Sequence, residues 1–158
     1  MHETAFPRLF SGCRMDDGIL IGVGALVEDG RGGVLLVRHR PERGGFWKGR
    51  WILPGGMLRV GETIDDGIVR EVAEETGLTV EVVESEIDPT ERIVREEGRV
   101  TLHVVYIVRR ARVLEGTVMP GSDVGEAIWV SKDGMAAIRE EIHPDTVKIL
   151  ELYGISCR

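Results

Sequence analysis

The sequence REVAEETG at residues 70–77 carries three carboxylates in a helical spacing. Glu71, Glu74 and Glu75 stand at positions i, i+3 and i+4, so in a helix all three lie on one face. Like charges at this spacing destabilise an isolated helix by roughly 0.2–0.5 kcal/mol per pair. Clustered carboxylates without His or Cys form an all-oxygen site that suits Mg²⁺ or Mn²⁺, and such an ion would remove the repulsion.

The segment that contains these glutamates predicts a helix over residues 63–76. Thr63 is the predicted N-cap, and Gly77 is the predicted glycine that follows the last turn. An apolar stripe that includes Val72 would face the core. The three glutamates occupy a different face of the helix, and we therefore expect Glu75 to be exposed.

The rest of the chain predicts strands and helices without regular βαβ alternation. Strands are predicted at residues 18–29, 34–40, 50–53, 79–87, 91–96, 99–113 and 127–131, and further helices at about 131–141 and 144–153. A tight turn at Glu97 and Gly98 would join two of these strands. This pattern indicates an α/β fold with a mixed sheet whose faces are covered by helices.

Composition limits the class of protein and its partners. A chain of 158 residues suits one domain with a single core. The net charge of −7 argues against a surface for duplex nucleic acid, and no apolar run approaches the length of a membrane span. No signal peptide is recognisable, so we expect a cytoplasmic protein. The absence of Asn and Gln favours a thermophilic source, although codon bias is an alternative explanation.

The acidic helix is part of a longer pattern, G-x5-E-x7-R-E-U-x-E-E-x-G-U, where U is an apolar residue. Its defined positions are Gly56, Glu62, Arg70, Glu71, Val72, Glu74, Glu75, Gly77 and Leu78. This segment resembles the Nudix box at every defined position, and the flanking stretches WILPGG and GEAIWV are also similar to that family. The resemblance implies a Nudix-type α/β/α sandwich with a mixed β-sheet. The domain would span residues 18–158, after an N-terminal extension at residues 1–17.

The resemblance also implies a role for each polar residue of the box. Glu71, Glu74 and Glu75 would be the ligands of Mg²⁺ (or Mn²⁺). Arg70 would pair with the box carboxylates and orient them, as part of the catalytic machinery. Glu62 would support the loop before the helix or bind a water on the metal.

Glycines before and within the helix bear on the same site. Gly55 and Gly56 allow the backbone to approach a bound substrate closely. Gly67 stands where the family often has Ala, which costs about 1 kcal/mol inside a helix. An alternative interpretation of the glutamates is a solvated helix face paired with Arg70 and Arg59.

Four charged residues outside the box are candidates for catalysis or substrate binding. Asp123 and Glu126 lie in the segment SDVGEAIW, where the family often has a further metal ligand or the general base. Glu126 is favoured as the general base, because it lies next to a predicted strand that would fix its position better than that of the glycine-flanked Asp123. Arg38 and Arg40 could clamp a phosphate group. For each of the four, an ordinary surface or capping role is the alternative.

The function implied by the resemblance is metal-dependent hydrolysis of a nucleoside diphosphate linked to another moiety X, with ADP-ribose or a nucleotide sugar favoured. One alternative is the hydrolysis of a nucleoside triphosphate or a dinucleoside polyphosphate. Another is a non-catalytic module that senses nucleotides or binds RNA. The partner would be a small nucleotide, with no duplex nucleic acid and no membrane. A homodimer packed through residues 1–17 is also possible.

Overall fold

The apolar runs of the chain form a seven-stranded mixed sheet in the computed structural model, which describes residues 18–43, 47–83 and 87–158. The strands are β1 (Leu20–Glu28), β2 (Gly33–His39), β3 (Gly55–Met57), β4 (Thr79–Val82), β5 (Thr90–Glu96), β6 (Arg99–Glu115) and β7 (Val124–Ser131). The α-helices are α1 (Ile64–Thr76) and α2 (Pro144–Leu152). The predicted N-terminal extension, residues 1–17, lies outside the described residues.

The strand order β4-β6-β1-β2-β7 places β1 at the centre of the sheet. β1 runs parallel to β6 along its whole length and antiparallel to β2 and β3. Its pairing with β2 is at Glu28 and Val34, whereas β3 pairs with the first half of β1, from Gly22 to Gly24. β3 therefore stands beside β1 and brings Gly55 and Gly56 next to it.

Helical segments cover both faces of the sheet. On one face, Ile68 and Val72 of α1 pack with Val23, Ala25, Val27 and Leu35. On the other face, Ile149 and Leu150 of α2 pack with Leu26, Val34, Leu36 and Val108, together with Met135 from a 3₁₀ segment. Burial of apolar side chains on both faces is what makes a sandwich of this kind stable. The predicted α/β/α arrangement with a mixed sheet is confirmed.

Several predicted elements differ in detail from the structure. The predicted strand at 50–53 contributes isolated bridges, Val37 with Ile52 and Trp51 with Ile142, because it crosses between two elements. β3 (Gly55–Met57) lies between the predicted strand at 50–53 and the predicted helix, where the sequence predicts no strand. Residues 132–141 form 3₁₀ rather than α-helix, and their start is capped by Ser131, whose Oγ accepts from the Gly134 amide. β4 ends at Val82, and residues 84–86 lie outside the described residues.

Neither α-helix in the described part of the chain is long and apolar enough to cross a membrane. The longer of the two, α1, has 13 residues, against about 20 needed for a span.

Candidate active site

The predicted boundaries of the acidic helix are confirmed by its caps. Thr63 is the N-cap, and its Oγ1 accepts from the Asp66 amide at 3.1 Å. Gly77 is the C-cap in a left-handed conformation (φ 73°), and its amide donates to the Ala73 carbonyl at 3.0 Å. Glycine adopts this conformation without the steric cost that a Cβ would add. The helix therefore begins and ends where its sequence signals predict.

The three glutamates of this helix differ in exposure, and the prediction that Glu75 is exposed is wrong. Glu75 is only 6% exposed, whereas the side chain of Glu71 is 13% exposed and that of Glu74 is 42% exposed. Glu75 is buried by tertiary packing, because the backbone at Gly55 and the loop before β7 lie over the C-terminal half of α1. In that loop the Gly121 amide donates to the Glu75 carbonyl at 3.0 Å.

The buried Glu75 carboxylate lacks a cation to balance its charge. The Gly55 amide donates to Glu75 Oε2 at 3.2 Å, and no residue in the described part of the chain forms a salt bridge with it. Burial raises the pKa of Glu75 well above its usual range, and the neighbouring Glu71 adds to the effect. A buried carboxylate is costly unless it is paired or coordinated to a metal. Glu75 is therefore the group in the box that most needs a positive partner.

Arg70 organises the exposed side of the box. Its Nε donates to Glu62 Oε1 at 2.6 Å and its Nη2 to Glu62 Oε2 at 3.0 Å, so the two side chains form a bidentate pair. Its Nη1 reaches Glu71 Oε1 at 2.7 Å and Glu74 Oε2 at 3.3 Å. The hydrogen bonds from Arg70 lower the pKa of Glu62 to about 2. The Arg70 guanidinium thus contacts the carboxylates of Glu62, Glu71 and Glu74.

Arg70→Lys is expected to lower the free energy of unfolding by about 1–3 kcal/mol, because a lysine ammonium cannot reproduce the bidentate fork. Arg112→Lys is the matched control, since Arg112 pairs with Glu81 at an exposed site, where an ion pair contributes about 0–1 kcal/mol. Urea denaturation of metal-free protein measures both changes. Equal losses in the two variants would contradict a special role for Arg70.

The glycines of the box make room for its carboxylates and loop. A Cβ added to Gly56 would lie 2.5 Å from Cδ of Glu71. A Cβ on Gly67 would lie 2.8 Å from Leu58 Cδ1 and 3.1 Å from Glu62 Oε2. The structure thus explains why Gly67 stands where Ala is common, because the loop before the helix packs directly against it.

Three of the candidates outside the box take part in two separate ion pairs. Arg38 Nη2 lies 2.5 Å from Glu126 Oε2, and its guanidinium carbon stacks 4.5 Å from the Trp51 ring centroid. Asp123 Oδ2 accepts from Arg43 Nε at 3.0 Å.

The two loop acids differ in their relation to the box. Arg43 lowers the pKa of Glu75 and Asp123 raises it, although burial is the larger cause of its shift. Glu126 instead pairs with Arg38. Arg40 is exposed and forms no salt bridge with any residue that the structure describes.

A cleft that is partly open to solvent adjoins the box on the α2 side of the sheet. Its lining includes Gly55, Gly56, His39, Tyr106, Arg92, Thr146 and Lys148. The box glycines therefore connect the acidic helix with this cleft. Sequence reasoning missed Arg92, Thr146 and Lys148, because only the packing of β5 and α2 brings them to the cleft and no local signal marks them.

Two side chains of this cleft are held neutral. Burial, with a further contribution from Arg43, lowers the pKa of His39 to about 4, and its buried Nδ1 has no hydrogen-bond partner among the described residues. Burial, with Glu75 and Glu71 nearby, raises the pKa of Tyr106, so its hydroxyl keeps its proton at neutral pH. The cleft next to the acidic box is therefore lined by these two neutral groups and by charged residues of both signs, Arg92 and Lys148 with Glu91 and Asp145.

The box glutamates are not prearranged as a metal centre. Within residues 18–43, 47–83 and 87–158, no three Asp, Glu, His or Cys side chains already form a group that could hold a metal ion. Arg70 instead contacts Glu71 and Glu74. Coordination by all three glutamates would require these side chains to move away from Arg70.

Comparison with known proteins agrees with the box and the fold. A family model described as NUDIX domain matches residues 19–153. A MutT-like protein of Streptomyces ambofaciens is 32% identical over 116 residues, which are 73% of this chain and 65% of that protein. An ADP-ribose pyrophosphatase of Methanocaldococcus jannaschii is 34% identical over 94 residues, which are 60% of this chain and 52% of that protein. The match thus spans between half and two thirds of these relatives.

A solved structure shows the same fold. A NUDIX hydrolase from Nitrosomonas europaea superposes with a TM-score of 0.70 at 23% identity, over 87% of this chain and 89% of that one. The family model covers most of the chain, including every position of the box. The chain therefore belongs to the Nudix family.

Proposed function

We propose that this protein is a metal-dependent pyrophosphohydrolase that cleaves a nucleoside diphosphate linked to another moiety X, with ADP-ribose or a nucleotide sugar favoured. The observation that carries the proposal is the buried Glu75, whose carboxylate accepts a hydrogen bond from the Gly55 amide and forms no salt bridge with the described residues. A divalent cation bound by this carboxylate would balance the charge, and a diphosphate would bind to the same cation.

The residues of the box fit Mg²⁺ or Mn²⁺. Glu71, Glu74 and Glu75 offer only carboxylate oxygens, the donor type that these hard cations prefer. When bound, such a cation polarises the P–O–P bridge and lowers the pKa of the attacking water. The bidentate pair of Arg70 with Glu62 would keep the guanidinium in place beside Glu71 and Glu74, the residues that would hold the cation together with Glu75.

The protein's own groups would then orient the substrate and take up a proton. Gly55 and Gly56 line the cleft, where their backbone would lie beside a bound diphosphate. Asp123 would act as general base ahead of Glu126, because its loop contacts α1 through the Gly121 amide and the Glu75 carbonyl, whereas Glu126 pairs with Arg38 on the strand. The loop of Asp123 is fixed by this contact with α1.

The cleft supports a substrate with a group beyond the diphosphate. It extends from Gly55 and Gly56 to Arg92 and Lys148, so X would lie against β5 and α2. Lys148 forms no salt bridge with the described residues and is available to a ligand. The ADP-ribose pyrophosphatase among the relatives gives the choice of ADP-ribose further support. Arg40, which is exposed beside the loop of Asp123, remains a candidate for phosphate binding.

A panel of nucleotides tests the proposal directly. The full chain is incubated with ADP-ribose, UDP-glucose, dGTP or diadenosine tetraphosphate, with Mg²⁺ or Mn²⁺, and products are identified by mass spectrometry. We expect AMP and ribose 5-phosphate from ADP-ribose. Release of pyrophosphate from dGTP as the fastest reaction would favour the alternative substrate class. No product from any nucleotide with either metal would contradict an enzymatic function.

A further inference from the structure

Two glycines of β1 form a slot on the cleft side of the sheet. Gly22 and Gly24 stand two residues apart, so they face the same side of the strand. A Cβ on Gly22 would lie 2.6 Å from Cδ2 of Tyr106, and a Cβ on Gly24 would collide with the Tyr106 hydroxyl. Glycine inside a strand weakens it and often marks the close approach of another group. Here that group is the Tyr106 ring, which lies across β1 from the neighbouring strand β6.

The slot directs the Tyr106 hydroxyl towards the box. A Cβ on Gly55 would lie 2.8 Å from this oxygen, and Gly55 is the residue whose amide donates to Glu75 Oε2 at 3.2 Å. Tyr106 also lines the cleft together with Gly55 and Gly56. The hydroxyl therefore lies at the point where the cleft meets the residues of the box.

The same hydroxyl has no acceptor within the described part of the chain. Fully buried tyrosine hydroxyls usually find a hydrogen-bond partner, whereas Tyr106 is only partly buried and lines the cleft. Tyr153 shows the ordinary arrangement, because its hydroxyl donates to the Val108 carbonyl at 2.9 Å inside the core. Tyr106 forms no hydrogen bond of this kind with any described residue, so its proton is available to a ligand in the cleft.

We propose that Tyr106 is a substrate-positioning residue whose hydroxyl donates a hydrogen bond to a non-bridging diphosphate oxygen beside Gly55. This inference rests on the proposed function, because it assigns the diphosphate to the space next to Glu71 and Glu75. A neutral donor suits that place. It binds an anionic oxygen without forming an ion pair with the box carboxylates, which must remain available to the cation.

Tyr106→Phe tests the inference, because it removes the hydroxyl and keeps the ring in its slot. Tyr153→Phe is the matched control, since it removes a hydroxyl from the core outside the cleft. We expect Tyr106→Phe to lower kcat/KM for ADP-ribose by about 10- to 100-fold, the effect of losing a hydrogen bond to a charged group. Its melting temperature should stay near that of the parent. Tyr153→Phe should melt at a lower temperature with unchanged kcat and KM.

Calorimetry separates diphosphate contact from nucleoside contact. The probes are α,β-methylene ADP with Mg²⁺, which carries a diphosphate that cannot be hydrolysed, and adenosine, which carries no phosphate. Tyr106→Phe should weaken binding of the diphosphate probe about 10-fold or more and leave adenosine binding unchanged. Equal weakening of both probes would overturn the inference, because the hydroxyl would then contact the nucleoside.

The outcomes also distinguish this inference from the proposed function. A parent protein that hydrolyses ADP-ribose, with a Tyr106→Phe variant equal to it in kcat/KM, would overturn the role of Tyr106 alone. A parent protein that neither hydrolyses any nucleotide of the panel nor binds α,β-methylene ADP would overturn the proposed function, and the role of Tyr106 with it.

Discussion

Glu75→Gln is expected to lower turnover by about 100-fold or more while the fold is retained. The amide oxygen of Gln can still accept the hydrogen bond from the Gly55 amide, and the substitution preserves side-chain volume in a site that is 6% exposed. A neutral amide, however, cannot replace an anionic oxygen at a hard cation. Steady-state kinetics at limiting Mg²⁺ measures the loss, and EDTA-treated parent protein provides the baseline.

Melting temperatures give a second measurement that does not depend on substrate. Mg²⁺ at about 100 times its Kd stabilises the protein that binds it by about 2.7 kcal/mol. The parent should show this rise, and Glu75→Gln should lose most of it. Without metal, the variant should be at least as stable as the parent, because a costly buried charge has been removed.

Glu115→Gln is the control for the loss of a carboxylate, since Glu115 is exposed at the end of β6 and forms no ion pair with the residues that the structure describes. It should turn over like the parent and show the same metal-dependent rise in melting temperature. Near-parent turnover of Glu75→Gln at limiting Mg²⁺ would contradict the proposal that Glu75 is a metal ligand.

Asp123→Asn is expected to lower kcat by about 10²- to 10⁴-fold, the usual contribution of a general base. The metal-dependent rise in melting temperature should be retained, because the box glutamates are unchanged. Glu126→Gln is the paired variant, and it should turn over like the parent. The carboxylate of Glu126, in β7, lies 2.5 Å from Arg38 Nη2. Asp123 lies in the loop before β7 and raises the pKa of Glu75.

Kinetics and metal titration of the two variants together identify the base. A large loss in Glu126→Gln with normal Asp123→Asn would reverse the assignment. Parent-like turnover in both would place the base within the box. Glu71 would then be the candidate, because burial raises its pKa despite the hydrogen bond from Arg70.

Local interactions explain which features the sequence predicts correctly. The helix boundaries follow from Thr63 and Gly77, whose capping contacts lie within four residues along the chain. The turn at Glu97 and Gly98 is confirmed, with φ values of 48° and 78° at these two residues in the hairpin of β5 and β6. The fold class follows from apolar periodicity together with the spacing of the box.

By itself, the sequence determined the family, the acidic helix and the carboxylates that this helix presents, because these depend on residue identity and spacing along a short segment. Only the tertiary structure decided that Glu75 is buried, that the loop of Asp123 contacts α1 at Glu75, and that the Tyr106 hydroxyl lies beside Gly55. The physical reason is that burial and electrostatic environment are set by what packs over a residue. Here those neighbours come from β1, β6 and the loop before β7, which are far from the box helix in sequence, and from β3, which precedes that helix.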